Sequence, residues 1–117
     1  MKIMLKRAYE AAAPGDGCRV LVDRLWPRGL TKDGAHVDHW LKEAGPSTAL
    51  RQWFGHDPAK WAEFQRRYRD ELRHNPAWDT LAGLARQGPL TLVYAAKDEA
   101  HNNAVVLREL LLHPARE

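Results

Sequence analysis

Two short apolar runs, set far apart, constrain this chain more than any other feature. CRVLVDR at residues 18 to 24 and LTLVYAA at residues 90 to 96 concentrate β-branched and apolar side chains. That pattern marks strands buried on both faces. The stretch between them has mainly helical periodicity. A helical excursion joining two buried strands predicts a parallel crossover, because an antiparallel pair needs only a tight turn. A loosely alternating segment at 2 to 7 supplies a further strand. The expected fold is therefore α/β, a small, mostly parallel sheet flanked by helices in a three-layer-like domain. At 117 residues the chain has the usual size of one domain, taken as 1 to 117.

The helices are read from their stripes and caps. Trp61, Phe64, Tyr68 and Leu72 recur at three- and four-residue steps, so 58 to 74 is expected as one amphipathic helix. Pro58 suits its first position and Asp57 its N-cap. A further helix is expected over 77 to 87, before Gly88-Pro89. A closing helix is expected over 99 to 112 with Asp98 as N-cap. Short helical patterns surround Val37, Trp40 and Leu41 and resume from Ser47. Leu25 to His36 is expected as loop, since Pro27 bars helix and Gly29 and Gly34 interrupt it.

Composition excludes several function classes. No window approaches the roughly 20 apolar residues that span a bilayer, and Lys6-Arg7 interrupts the N-terminal segment too early for a secretion signal. The expected location is the cytoplasm, with no membrane partner. The single cysteine, Cys18, excludes an internal disulfide or a multi-cysteine metal site and is expected to pack as a small hydrophobe. His36, Asp38 and His39 have a metal-like composition, but the spacing is too weak to name a metal. No GxxxxGK[ST] or GxGxxG run is present, and no cysteine follows either strand, so no cofactor is named. The net charge of +3 fits anionic partners of any size.

Open α/β sheets bind ligands outside the carboxyl ends of their strands. The two runs end in Asp23-Arg24 and Lys97-Asp98, so both polar clusters should emerge at one edge. Arg24, Arg28 and Lys97 offer donors for an anion. Trp26 or Trp53 could stack on a planar group, and His56 or His101 with Asp23 or Asp98 could move a proton. Asn102 and Asn103 would project from the first turn of the closing helix. Each has a plainer reading: Arg24 in an internal ion pair with Asp23 or another carboxylate, Arg28 in solvent, Trp26-Pro27 closing the core, and the 98–103 segment a solvated cap.

RVLVDRLWPRGLTKD, LRQWFGHDPAKWAEF and LTLVYAAKDEAHNNAVVL resemble the YeaO-like branch of the DUF488 family over roughly residues 3 to 112. The resemblance implies a small bacterial or archaeal protein and names no reaction. It places the family's motif positions on Asp23, Arg24, Trp26, Arg28, Lys32, Trp53, His56, Lys97, Asp98, His101, Asn102 and Asn103, among others. The leading expectation is a cationic pocket for a small anionic, partly planar ligand, with a reaction on it left open. A second expectation is a nucleic-acid-binding or regulatory module using the basic helix 58–74, where Arg66, Arg67, Arg69 and Arg73 alternate with Asp70 and Glu71. A third is an oligomer subunit presenting surplus Trp and Leu side chains.

Overall fold

A computed structural model describes residues 1–113; residues 114–117 of the expected domain lie outside the described residues. Four strands, β1 (Ile3–Arg7), β2 (Cys18–Leu21), β3 (His39–Trp40) and β4 (Leu90–Tyr94), form one sheet in the order β1-β4-β2-β3. Every pairing is parallel. The last strand therefore lies between the first two, and all five of its residues are buried. The helices are α1 (Lys32–Ala35), α2 (Thr48–Phe54), α3 (Trp61–Arg73), α4 (Pro76–Gln87) and α5 (Asn103–Leu112).

Alternation along the strands gives the two faces different covers. Ile3, Val20, Val22, Leu90, Leu92 and Tyr94 pack against α2 through α5, whose buried stripes include Phe54, Phe64, Tyr68, Leu81 and Leu107. The opposite face carries Ala8, Leu21 and Val93, closed by Trp26, Leu30 and Val37 from the loop regions around α1. The long helices thus lie on one side, with short turns and loops on the other.

Four expected elements are corrected, the first being the loop over Leu25 to His36, which contains the short helix α1 capped by Thr31. The helical pattern around Val37, Trp40 and Leu41 is instead an edge strand, with His39 and Trp40 paired to Val20 and Leu21. Its flanking amides donate to Arg19 O (from Asp38, 2.8 Å) and Leu21 O (from Leu41, 2.9 Å), so partners on the bare edge of β2 outweigh local propensity. The closing helix starts at Asn103 rather than 99. Asn102 is its N-cap, in extended backbone, accepting from the Val105 amide at 3.1 Å. Asp98 caps only the turn before it. The helix expected from 58 begins as a 3₁₀ turn, Pro58–Lys60, capped by Asp57 as expected, before α3 proper. Among the described residues no helix is long and apolar enough to cross a membrane.

Candidate functional site

Because β2 and β4 are parallel neighbours, the residues that follow them emerge at the same end of the sheet. Asp23-Arg24 and Lys97-Asp98 face one pocket of about 690 Å³ there, within the usual range for small-molecule sites of about 300–1,000 Å³. Two backbone ties hold the lips together. The Asp23 carboxylate accepts the Ala95 amide at 2.9 Å, and Asn103 Nδ2 donates to Val22 O at 2.8 Å. Arg7, at the end of β1, fixes the segment after β4 by donating to Ala96 O (2.9 Å) and Ala95 O (3.3 Å).

Asp23 is half-buried, and burial raises its carboxyl above the ordinary carboxylate range. The Ala95 amide, Asn103 and the charges of Arg51 and His56 pull back against that rise. Arg24 does not pair with Asp23, the first partner its plainer reading named. Its Nε donates to Pro46 O at 2.6 Å, and the chain opposite comes so close that a Cβ on Gly45 would lie 3.1 Å from Arg24 Cγ and Val22 O. Glycine at 45 is what lets this wall close. Trp26 lines the pocket but is anchored, donating from Nε1 to Leu30 O at 2.6 Å, with its ring edge-on to Trp40 at 5.3 Å.

The Asp98 turn is tightly organised. One carboxylate oxygen accepts the Ala100 and His101 amides at 2.9 and 3.1 Å, and the other meets His101 Nδ1 at 2.9 Å. The Ala100 amide first, then the His101 side chain, hold the Asp98 carboxyl below its ordinary range. The His101 ring stands edge-on to Trp61 at 5.2 Å. With Nδ1 engaged by a carboxylate, His101 lines the pocket. Asn102 is buried and committed at both ends of its amide, to the Val105 amide and to Asp98 O at 2.9 Å. It shapes the turn.

His56 and Arg51 complete the wall. Gly55 ends α2 in the left-handed region (φ 54°), and His56 follows at φ 57°. A side chain there costs about 1–2 kcal/mol, and the bend brings His56 to the pocket rim. Arg51, half-buried on α2, also lines the pocket, yet its Nε is buried with no hydrogen-bond partner among the described residues. Four cationic side chains, Arg24, Arg28, Arg51 and Lys97, thus face two carboxylates, Asp23 and Asp98.

The model of the family described as the inactive DUF488-N3 subclade matches residues 2–117. The chain belongs to the DUF488 family. It is 45% identical over 112 residues to the uncharacterized protein YeaO of Escherichia coli, covering 95% of this chain and 97% of that one. It is 41% identical over 110 residues to the uncharacterized proteins Mb3100c of Mycobacterium bovis and Rv3073c of Mycobacterium tuberculosis, covering 94% of this chain and 93% of each. No solved structure matches.

Not every motif position of this DUF488 protein reaches the pocket. Lys32 is exposed on α1 and is not among the lining residues. Trp53 is not among the lining residues either; the Lys60 ammonium lies over its ring at 5.1 Å and the Arg67 guanidinium at 4.3 Å. Cys18 is half-buried, and burial, then the nearby Asp38 charge, raises its thiol. Arg51 was absent from the expected site. A cue was available: it lies between Leu50 and Phe54, both buried on α2, so its stem runs along an apolar face where a lone cation wants a reason. Tyr9 and Leu25, exposed at the pocket rim, left no such mark in the sequence.

Proposed function

We propose that this DUF488 protein is a cytoplasmic binding protein whose pocket, at the carboxyl ends of β2 and β4, holds a small anionic ligand of phosphate or nucleotide type. Arg51 carries the reading. A half-buried guanidinium that lines a cavity beside the Asp23 charge, with its Nε buried and without a hydrogen-bond partner among the described residues, keeps donor capacity that an oxyanion fills. Lys97 and Arg28 add charge at the rim. Trp26 and Tyr9 offer aromatic surface for a planar group.

Binding is favoured over turnover on two counts. The family description carries the word inactive, and both oxygens of Asp98 are engaged within its own turn. The basic helix is a weaker candidate for nucleic acid, because Arg66 and Arg67 both pair with Glu63, at 2.5 and 2.8 Å. Arg67 also lies over Trp53.

The test is thermal denaturation with inorganic phosphate and with adenosine 5′-monophosphate, on the wild type and on Arg51→Ala. Ligand at a hundredfold excess over Kd stabilises by about 2.7 kcal/mol. A rise in Tm that disappears in Arg51→Ala is expected. No rise with either compound, or a rise that survives the substitution, would end the proposal.

A further inference from the structure

We infer that the ligand of this pocket carries hydroxyl donors beside its anion, as a sugar phosphate or the ribose phosphate of a nucleotide does, and that Asp23 binds those hydroxyls. The inference rests on the phosphate-type reading above and adds what must stand next to the phosphate.

The pocket poses a contradiction that a bare anion does not resolve. Its cations draw an oxyanion in, yet Asp23 stands among them at the end of β2, a carboxylate that repels one. The other acid is already answered, since Asp98 is enclosed by two amides and His101. Asp23 is different. A carboxylate accepts about four hydrogen bonds, and the Ala95 amide at 2.9 Å takes one position. The Asn103 side chain hydrogen-bonds the Asp23 carboxylate as well, while directing an amide hydrogen to Val22 O. Acceptor capacity therefore remains on the pocket wall, facing a cavity of about 690 Å³.

A ligand with neutral donors a few ångströms from its anion satisfies both groups at once. Hydroxyls meet Asp23, and the phosphate meets Arg51 and Lys97. Burial also raises the Asp23 carboxyl, against the pull of its hydrogen bonds from the Ala95 amide and Asn103. A cavity of this size accommodates a whole ribose phosphate.

Isothermal titration of the full chain at neutral pH separates the alternatives. Methyl phosphate supplies the anion alone, and ribose 5-phosphate adds hydroxyls. O-Phosphoethanolamine offers an ammonium instead. Wild type should bind ribose 5-phosphate about tenfold more tightly than methyl phosphate, the difference expected when a charged acceptor finds its donors. In Asp23→Asn that ratio should fall toward one, while methyl phosphate binds no more weakly than before because a like charge is gone. Asn is isosteric, and its carbonyl keeps the bond to the Ala95 amide. The wild-type comparison requires no variant to fold.

Equal affinity for methyl phosphate and ribose 5-phosphate overturns the hydroxyl reading, as does a ratio that persists in Asp23→Asn. If that equal binding still depends on Arg51, the phosphate pocket stands and only this inference falls. Tighter binding of O-phosphoethanolamine than of ribose 5-phosphate also overturns it. Failure of all three probes to bind removes both readings.

Discussion

Two charged clusters lie on this small sheet, and they are built from the same residue types to opposite effect. On the face away from the long helices, Asp16 is buried between Lys6 (3.0 Å) and Arg19 (2.6 Å). Arg19 completes its guanidinium with His36 O and Ala35 O, at 2.9 and 3.1 Å. The Asp16 carboxylate also accepts the Ala13 amide at 3.1 Å. At the carboxyl ends of β2 and β4, by contrast, Arg51 Nε lacks a hydrogen-bond partner among the described residues and Asp23 keeps spare acceptors. The first cluster is closed and serves the fold. The second is open, and its unmet valences are what make it a site. Charge alone distinguishes nothing; the state of its hydrogen bonds does.

Breaking the closed cluster should have the largest effect. Asp16→Ala leaves Arg19 buried and uncompensated, for a loss of about 3 kcal/mol, the lower end for a buried pair because only short turns cover it. Urea denaturation would register this as a lower midpoint with unchanged slope. Arg51→Ala, in the open cluster, should do the reverse. Its unfolding free energy should stay within about 1 kcal/mol of wild type, while the phosphate-induced rise in Tm is lost.

The asparagine cap separates shape from charge. Asn102→Ala should destabilise by about 1 kcal/mol, since it strips the N-cap of α5. It should also weaken phosphate binding by loosening the turn tied to Asp98 O. Retained affinity in a folded Asn102→Ala protein would show that the turn does not position the ligand.

pH should drive the two acids in opposite directions. Burial opposes ionisation of Asp16, but the Ala13 amide and the Lys6 and Arg19 charges outweigh it and lower the folded pKa. Its contribution is present above the unfolded value of about 4 and is lost as pH falls through the lower folded value. Asp23 has a raised folded pKa, so its contribution is present below about 4 and is lost as pH rises through the folded value. Asp16→Asn should therefore be most destabilising at neutral pH, and its deficit should shrink in acid. Asp23→Asn should gain on wild type as pH rises from acid to neutral. Urea titrations at both pH values would reveal a common sign if the contrast is wrong.

The smallest effect belongs to the basic helix. Glu63→Gln releases Arg66 and Arg67 from their shared carboxylate, which those two arginines hold down at about 2. Stability should barely change. Any weak, salt-sensitive association with DNA should increase, while phosphate binding at the pocket stays as it was. Tight DNA binding by the wild type would instead favour the helix as the functional surface.

Much of the fold was legible in the sequence because strand burial and helix stripes are written in side-chain periodicity. Val20 to Val22 and Leu90 to Tyr94 announce themselves as buried strands, and Trp61, Phe64, Tyr68 and Leu72 as one helical stripe, of which Phe64, Tyr68 and Leu72 are buried. Asp57 was recognisable as a cap from its place before Pro58. The convergence of Asp23-Arg24 with Lys97-Asp98 also followed, since parallel neighbours share an end. β3 did not follow. Two residues pair there because the edge of β2 is vacant, a fact of assembly with little local trace. The start of α5 was obscured by two cap-forming residues in succession, Asp98 and Asn102, and only the extended backbone at Asn102 decides between them.

Sequence by itself therefore determined the buried strands and long helices, the parallel direction of the two principal strands and the end of the sheet where polar residues gather. Those depend on local periodicity and on chain direction. Tertiary structure decided which of the gathered groups remain available. It packed Lys60 and Arg67 over the Trp53 ring away from the pocket lining, engaged Asn102 and Asp98 within a turn, and left Arg51 on the cavity wall with its Nε lacking a hydrogen-bond partner among the described residues. Hydrogen-bond satisfaction is a property of neighbours brought together from distant positions, and no single stretch of chain contains it.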